Sequence, residues 1–173
     1  IVEVTGAPTL STDSTQNTAA IAARAVLDRI EPGKRIGVRL WVHKRMPLAS
    51  GLGSSAASSV AGAVAVNELC GGGLSRHALV DCALEGEKAV SGTAHADNVA
   101  PSLLGGIVLI RSYAPLDLVS LPVPEQLRIV VIHPHVQVET SMARQLVADQ
   151  HFNIKQTVTN LGNVAAFAAA LHS

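Results

Sequence analysis

Along this chain the spacing of apolar residues shifts between the strand period and the helix period. The opening "IVEVTG" reads as a strand that gives way to a turn-rich loop, "APTLSTDSTQ". "NTAAIAARAVLDRIEPG" then places Ala20, Ala23, Val26, Leu27 and Ile30 on one face and ends at Pro32 and Gly33, which predicts a helix. In "RIGVRLWVHKRM" the residues Ile36, Val38, Leu40 and Val42 alternate with Arg35, Arg39, His43 and Arg45, which predicts a strand. A loop around Gly51 and Gly53 follows, then a helix from Ser55 to Leu69 and a "CGGG" break. Ser75 is placed to cap the next helix, "RHALVDCALEGEKAV", whose apolar positions include Leu79, Val80, Ala83 and Leu84.

Beyond His95 the periods mix. "GGIVLIRS" and "LRIVVIHP" are short apolar β runs, the second ended by Pro134, and "ETSMARQLV" reads as a short helix. A last helix, from Asn153 onwards, aligns Ile154, Val158, Leu161, Ala165, Ala168 and Leu171. No internal repeat is visible. The early strands lie too near each other in sequence for a strict doubly wound sheet, so the pattern predicts a layered α+β domain.

Composition narrows this picture. The 173 residues suit one ordinary domain or a large part of a bigger protein. Apolar residues make up 48% and aromatics only 2%, so the core must be built from Ala, Val, Leu and Ile. A formal charge of zero argues against nucleic-acid binding and against a polybasic membrane contact. Cys70 and Cys82 match no zinc or redox spacing and read as reduced packing residues of a cytoplasmic protein. No apolar stretch approaches the roughly 20 residues of a membrane span, and no signal peptide opens the chain. The start at Ile1, already in a strand pattern, and the stop in "FAAALHS", inside a helical one, read as a partial sequence.

The chemistry concentrates in "PLASGLGSSAASSVAGAVAV". A Walker loop needs a Lys before its Ser or Thr, and Gly53-Ser54-Ser55 has none. A dinucleotide fingerprint wants a third Gly where Ala56 stands, and a nucleophile elbow wants one at Ala57. All three fail, yet the physics still points to an anion. Gly51 and Gly53 bare the backbone amides, and Ser54 or Ser55 opens a helix whose first N–H groups lack helical partners. The helix dipole adds positive potential at the same place, which suits a polyphosphate. Small residues at Ala56, Ala57, Ala61, Gly62 and Ala63 let that helix be buried.

The string Pro47-Leu48-Ala49-Ser50-Gly51-Leu52-Gly53-Ser54-Ser55-Ala56-Ala57 is similar to the phosphate loop of the GHMP kinases. Within that family, "HADNVAPSLLGG" from His95 to Gly106 resembles the homoserine kinase branch rather than the mevalonate or galactose kinases. The resemblance extends over nearly the whole chain, including "GGIVLIRSYAPLDL" and "ETSMAR". It implies an α+β two-layer fold: residues 1–112 as the N-terminal ATP-binding domain, like ribosomal protein S5 domain 2, without its first strands. Residues 113–173 would then begin a truncated, ferredoxin-like C-terminal domain. The family's N-terminal Asn-rich segment would precede Ile1 and its C-terminal Gly-rich loop would follow Ser173.

The implied reaction moves the γ-phosphoryl of ATP to the hydroxyl of L-homoserine, a step toward threonine, with Mg²⁺ as cofactor. Glu85 and Glu87 point in opposed directions on a helix, so only one can face the loop. The family spacing selects Glu87 for the metal, with Ser54 or Ser55 as its hydroxyl partner. The resemblance places His95, Asp97 and Asn98 on the substrate side. Asn98 stands where mevalonate kinases carry an aspartate base, which implies direct transfer without a strong general base. Asp97 would attract the substrate ammonium. Thr140 and Arg144 share a helix face, and by the resemblance the family's substrate-binding arginine falls at Arg144, whose guanidinium would clasp the substrate carboxylate. Asn17 falls at the adenine by family position. His133 and His135 share a strand face, but no third metal ligand is evident. A mevalonate-like kinase and a non-catalytic nucleotide-binding member are the alternatives. Neither nucleic acid nor membrane is an expected partner, a homodimer is compatible with the reading, and a plastid location is left open.

Overall fold

The computed structural model describes residues 3–33, 36–48, 50–92, 95–132 and 152–172. Strand β1 (Glu3–Thr5) leads through helix α1 (Thr18–Ile30) to strand β2 (Trp41–His43). The strands pair in parallel, Glu3 opposite Trp41, and α1 supplies the crossover that a parallel pair requires. The alternation read in the sequence survives in burial: Ile36, Val38, Leu40 and Val42 are half-buried while Arg39, Trp41 and His43 are exposed. The strand itself is shorter than predicted because a ladder needs a partner, and the described partner begins at Glu3.

Helices α2 (Ser54–Leu69), α3 (Arg76–Ser91) and α4 (Ala96–Leu104) complete this unit. Helices α1, α2 and α3 pack on one another, and α4 lies against α2 and α3. As the composition requires, the core is small-grained. Val26, Val66, Val80, Val99, Cys82, Asn67 and Ser59 are its largest fully buried side chains. Small residues let the backbones close in: a Cβ on Gly62 would collide with the Ala19 carbonyl of α1. Ser75 caps α3 by accepting from the Ala78 amide, as predicted. Helix α4 was not legible, because Pro101 inside it supplies no N–H to the Asp97 carbonyl and ordinarily marks a break.

The first compact unit ends at Gly105 and a second begins at Gly106. The division falls before the expected boundary at 112/113 because strand β3 (Ile107–Tyr113) pairs antiparallel with β4 (Leu116–Leu121) and stays with its partner. The register slips between Ile110 and Ser112, around Arg111. Helix α5 (Ile154–Ala170) starts with a capping box between Asn153 and Gln156. The β run at "LRIVVIHP" is not a strand as far as Ile132; Ile129, Val130, Val131 and Ile132 are exposed. Apolar composition favours a strand, but pairing makes one, and no partner for this run stands among the described residues. Among the described residues, helices and two small sheets together make an α+β protein, as the pattern predicts. Among the described residues no helix is long and apolar enough to cross a membrane. The "ETSMARQLV" helix, Thr140, Arg144, His133, His135 and Ala49 lie outside the described residues.

Candidate phosphate-binding site

Gly53 is the N-cap of α2 and adopts the left-handed conformation, with φ at 71°. It brings no side chain to cap the helix, whereas α1, α3 and α5 are capped by Asn17, Ser75 and Asn153. The first amides of α2 therefore face the loop that the two glycines leave bare. Helix α4 also starts without a side-chain cap, at His95. The two uncapped starts meet. A Cβ on Gly53 would stand 2.9 Å from Asn98 Oδ1 and 3.3 Å from Asn98 Cβ, so Asn98 of α4 lies directly on the glycine loop. Residues forty-odd positions apart in sequence are thus brought to one place by the packing of α4 on α2.

Asp97 and Asn98 are exposed and His95 is half-buried. Asp97 lies in the first turn of α4, where its charge suits the helix dipole. The loop residues Pro47, Leu48, Gly51 and Leu52 are exposed, with Ser50 Oγ donating to the Pro47 carbonyl at 3.0 Å. The serine pair divides. Ser54 is 7% exposed and its hydroxyl donates to the Met46 carbonyl at 3.3 Å, while Ser55 is exposed. Ala56 is buried and Ala57 half-buried.

Lys44, which carries no motif in the sequence, also lies against the start of α2. It is 9% exposed, and its ammonium donates to the Ser54 carbonyl and, at 2.5 Å, to Ser58 Oγ. Burial pulls its pKa down, and the nearby Glu87 carboxylate opposes that shift. Glu87 is half-buried with its Oε1 shielded from solvent, whereas Glu85 is exposed. So Glu87 is the carboxylate that shares an electrostatic neighbourhood with the first turn of α2. A signal for Lys44 did exist: it continues the inward parity of Ile36, Val38, Leu40 and Val42, a buried register that an ammonium enters only with partners.

Beside Lys44 a cavity of about 350 Å³ opens between β2 and α2, walled by Leu40, Trp41, Met46, Ala57, Ala61 and Ala65. Its size and largely apolar wall suit a small ligand. Asn17, expected at the adenine, stands at the start of α1. It is 6% exposed, its Oδ1 accepts from the Ala19 and Ala20 amides, and its Nδ2 donates to the Ser11 carbonyl at 2.9 Å. Its amide is used in capping α1.

The N-terminal domain of the GHMP kinases matches residues 17–106, just over half of the chain and the segment that carries this geometry. The chain belongs to the GHMP kinases. Among relatives, this GHMP kinase chain is 44% identical over 166 residues to homoserine kinase of Chlorobium phaeobacteroides (strain DSM 266 / SMG 266 / 2430), covering 94% of this chain and 52% of that protein. It is 42% identical over 164 residues to homoserine kinase of Methanopyrus kandleri, covering 94% and 53%. A crystal structure of homoserine kinase from Cytophaga hutchinsonii ATCC 33406 matches with a TM-score of 0.86 at 43% identity, covering 96% of this chain and 52% of that one. The chain thus spans about half the length of the relatives it matches.

Proposed function

We propose that the protein to which this chain belongs is a homoserine kinase, transferring the γ-phosphoryl of ATP to the side-chain hydroxyl of L-homoserine. One observation carries the reading: Asn98, within the string that resembles homoserine kinases, lies on the left-handed Gly53 of the phosphate loop. A substrate hydroxyl held by the one and a triphosphate held by the other would meet, and transfer of this kind is largely positioning plus electrostatic stabilisation. The names of the relatives support the same substrate.

The phosphates would rest on the amides that open α2, and the cavity between β2 and α2 would receive the base. The residues present fit Mg²⁺. Among the described residues no group of three or more His, Cys, Asp or Glu comes together, so a metal would draw mainly on phosphate oxygens and water. Mg²⁺ binds in that way, adding one or two protein oxygens. Glu87 would supply the carboxylate and Ser54 or Ser55 the hydroxyl, whose oxygen lone pairs stay available even where its proton is donated, as that of Ser54 is to the Met46 carbonyl. When bound, the metal would neutralise charge on the β- and γ-phosphates. Asn98 accepts no proton usefully, so the hydroxyl proton would leave late, to phosphate. Asp97 would hold the substrate ammonium, and Thr140 with Arg144 the carboxylate. Threonine biosynthesis in the cytoplasm follows from the same reading.

The test is ADP release by the full-length protein with homoserine or mevalonate as acceptor. Turnover of homoserine that requires Mg²⁺ is expected. Turnover of mevalonate instead, or metal-independent ATP binding without turnover of either, would overturn the reading.

A further inference from the structure

Gly86 stands immediately before Glu87 and is buried where three helices converge. A Cβ there would collide with Ser59 Oγ of α2, and would lie 2.6 Å from the Thr18 carbonyl of α1 and 3.3 Å from Ser59 Cβ. Ser59 is fully buried, and its hydroxyl donates to the Ala83 carbonyl of α3 at 2.6 Å, one turn before Gly86. The preceding residue of α2, Ser58, accepts from Lys44, whose ammonium also reaches the Ser54 carbonyl and feels the Glu87 carboxylate. The place where only a glycine lets α3 sit against Ser59 of α2 and the Thr18 carbonyl of α1 is therefore one residue from Glu87 on α3. On α2 it is about one and a half turns from the phosphate loop.

We propose that Gly86 is a positioning residue of the phosphoryl-transfer site: its missing side chain lets α3 close on Ser59 of α2 and the Thr18 carbonyl of α1, and thereby sets how far the Glu87 carboxylate reaches toward the serine pair. The inference rests on the reading of Glu87 as a metal ligand. Packing is too dense for a methyl group to be absorbed in place, and the Thr18 carbonyl is backbone that cannot rotate away. Helix α3 must shift outward, and it carries Glu87 with it. Ser59→Ala is the opposite case: it deletes the hydrogen bond to Ala83 and leaves the approach as it is.

The experiment measures Mn²⁺ affinity by electron paramagnetic resonance in the full-length protein with a non-hydrolysable ATP analogue. Thermal stability is read in parallel. Gly86→Ala is expected to weaken Mn²⁺ about tenfold, as disturbance of a supporting shell does. Ser59→Ala is expected to lower thermal stability with Mn²⁺ affinity within about twofold of the parent. If the two variants lose affinity in proportion to stability, Gly86 is merely structural and the proposal fails. Should Gly86→Ala not fold, Gly86→Ala with Ser59→Ala is compared with Ser59→Ala alone. The added Cβ still presses on Thr18 there, so equal affinities would overturn the proposal and weaker binding would support it. Glu87→Gln separates the two levels. No loss of Mn²⁺ in that variant overturns the metal reading and this inference together. A loss there with none in Gly86→Ala overturns this inference alone.

Discussion

At the scale of single residues, the glycines and serines of the loop were legible because their chemistry depends little on tertiary context. A bare backbone before a helix start attracts anions in any fold. Gly53 shows how tightly that is built, with positive φ and Asn98 close by. Gly53→Ala is expected to cost about 1–2 kcal/mol, the penalty of a left-handed L-residue. It should also raise the KM for ATP, because Asn98 must yield. A urea melt and steady-state kinetics check both, and an unchanged KM would detach Gly53 from nucleotide binding. Lys44 was not read, because its partners Ser54 and Ser58 reach it only through the fold. Cys82 gives a test in pH. Burial pushes its thiol up. A raised folded pKa means that its contribution to stability is whole below the unfolded thiol pKa, about 8.5, and is lost as pH rises beyond it. Stability should therefore fall above about pH 8.5 and fall less in Cys82→Ser. In the native protein a thiol reagent should label half-buried Cys70 first.

At the scale of elements, periodicity and caps located α1, α3 and α5, whereas α2, uncapped and apolar on most sides, was read from the glycine-serine loop and the small residues that follow it. Periodicity failed at α4, short and interrupted by Pro101, and at Ile129 to Ile132, where an apolar run without a pairing partner forms no strand. Helical glycines are the complementary case, because only the neighbours decide what they are for. A Cβ on Gly62 would meet the Ala19 carbonyl oxygen, with the carbonyl carbon 2.8 Å away, whereas one on Gly162 of α5 would meet nothing within 4 Å. Gly62→Ala is expected to destabilise by about 1–3 kcal/mol despite the better helix propensity of Ala. Gly162→Ala should stabilise by about 0.5–1 kcal/mol. Denaturant melts of both variants check the contrast. If they shift the same way, propensity rather than the α1–α2 approach governs Gly62.

For the whole molecule, the sequence carried fold class and family further than it carried extent. The phosphate loop and the His95–Asn98 string are local, but where the chain's apolar surface goes depends on residues far away. In the second unit Ile154, Val158, Leu161, Val164 and Phe167 recur along α5 at helical spacing, and all are exposed. Ile129, Val130, Val131 and Ile132 are exposed too, at 61–85%. An exposed apolar stripe of this length ordinarily marks a surface that something covers. The relatives are about twice as long as the segment matched here, so they carry enough further chain to do it. Residues 1–173 expressed alone are therefore expected to bind an apolar dye strongly and to self-associate as concentration rises. A protein of the relatives' full length should do neither. Phe167→Ser with Leu161→Ser should lower dye binding by residues 1–173 while leaving the helices of the first unit folded, because both positions lie in α5. Dye fluorescence and light scattering read the comparison. Equal dye binding by the short and the long protein would mean that the stripe stays open in the intact molecule and faces a partner instead.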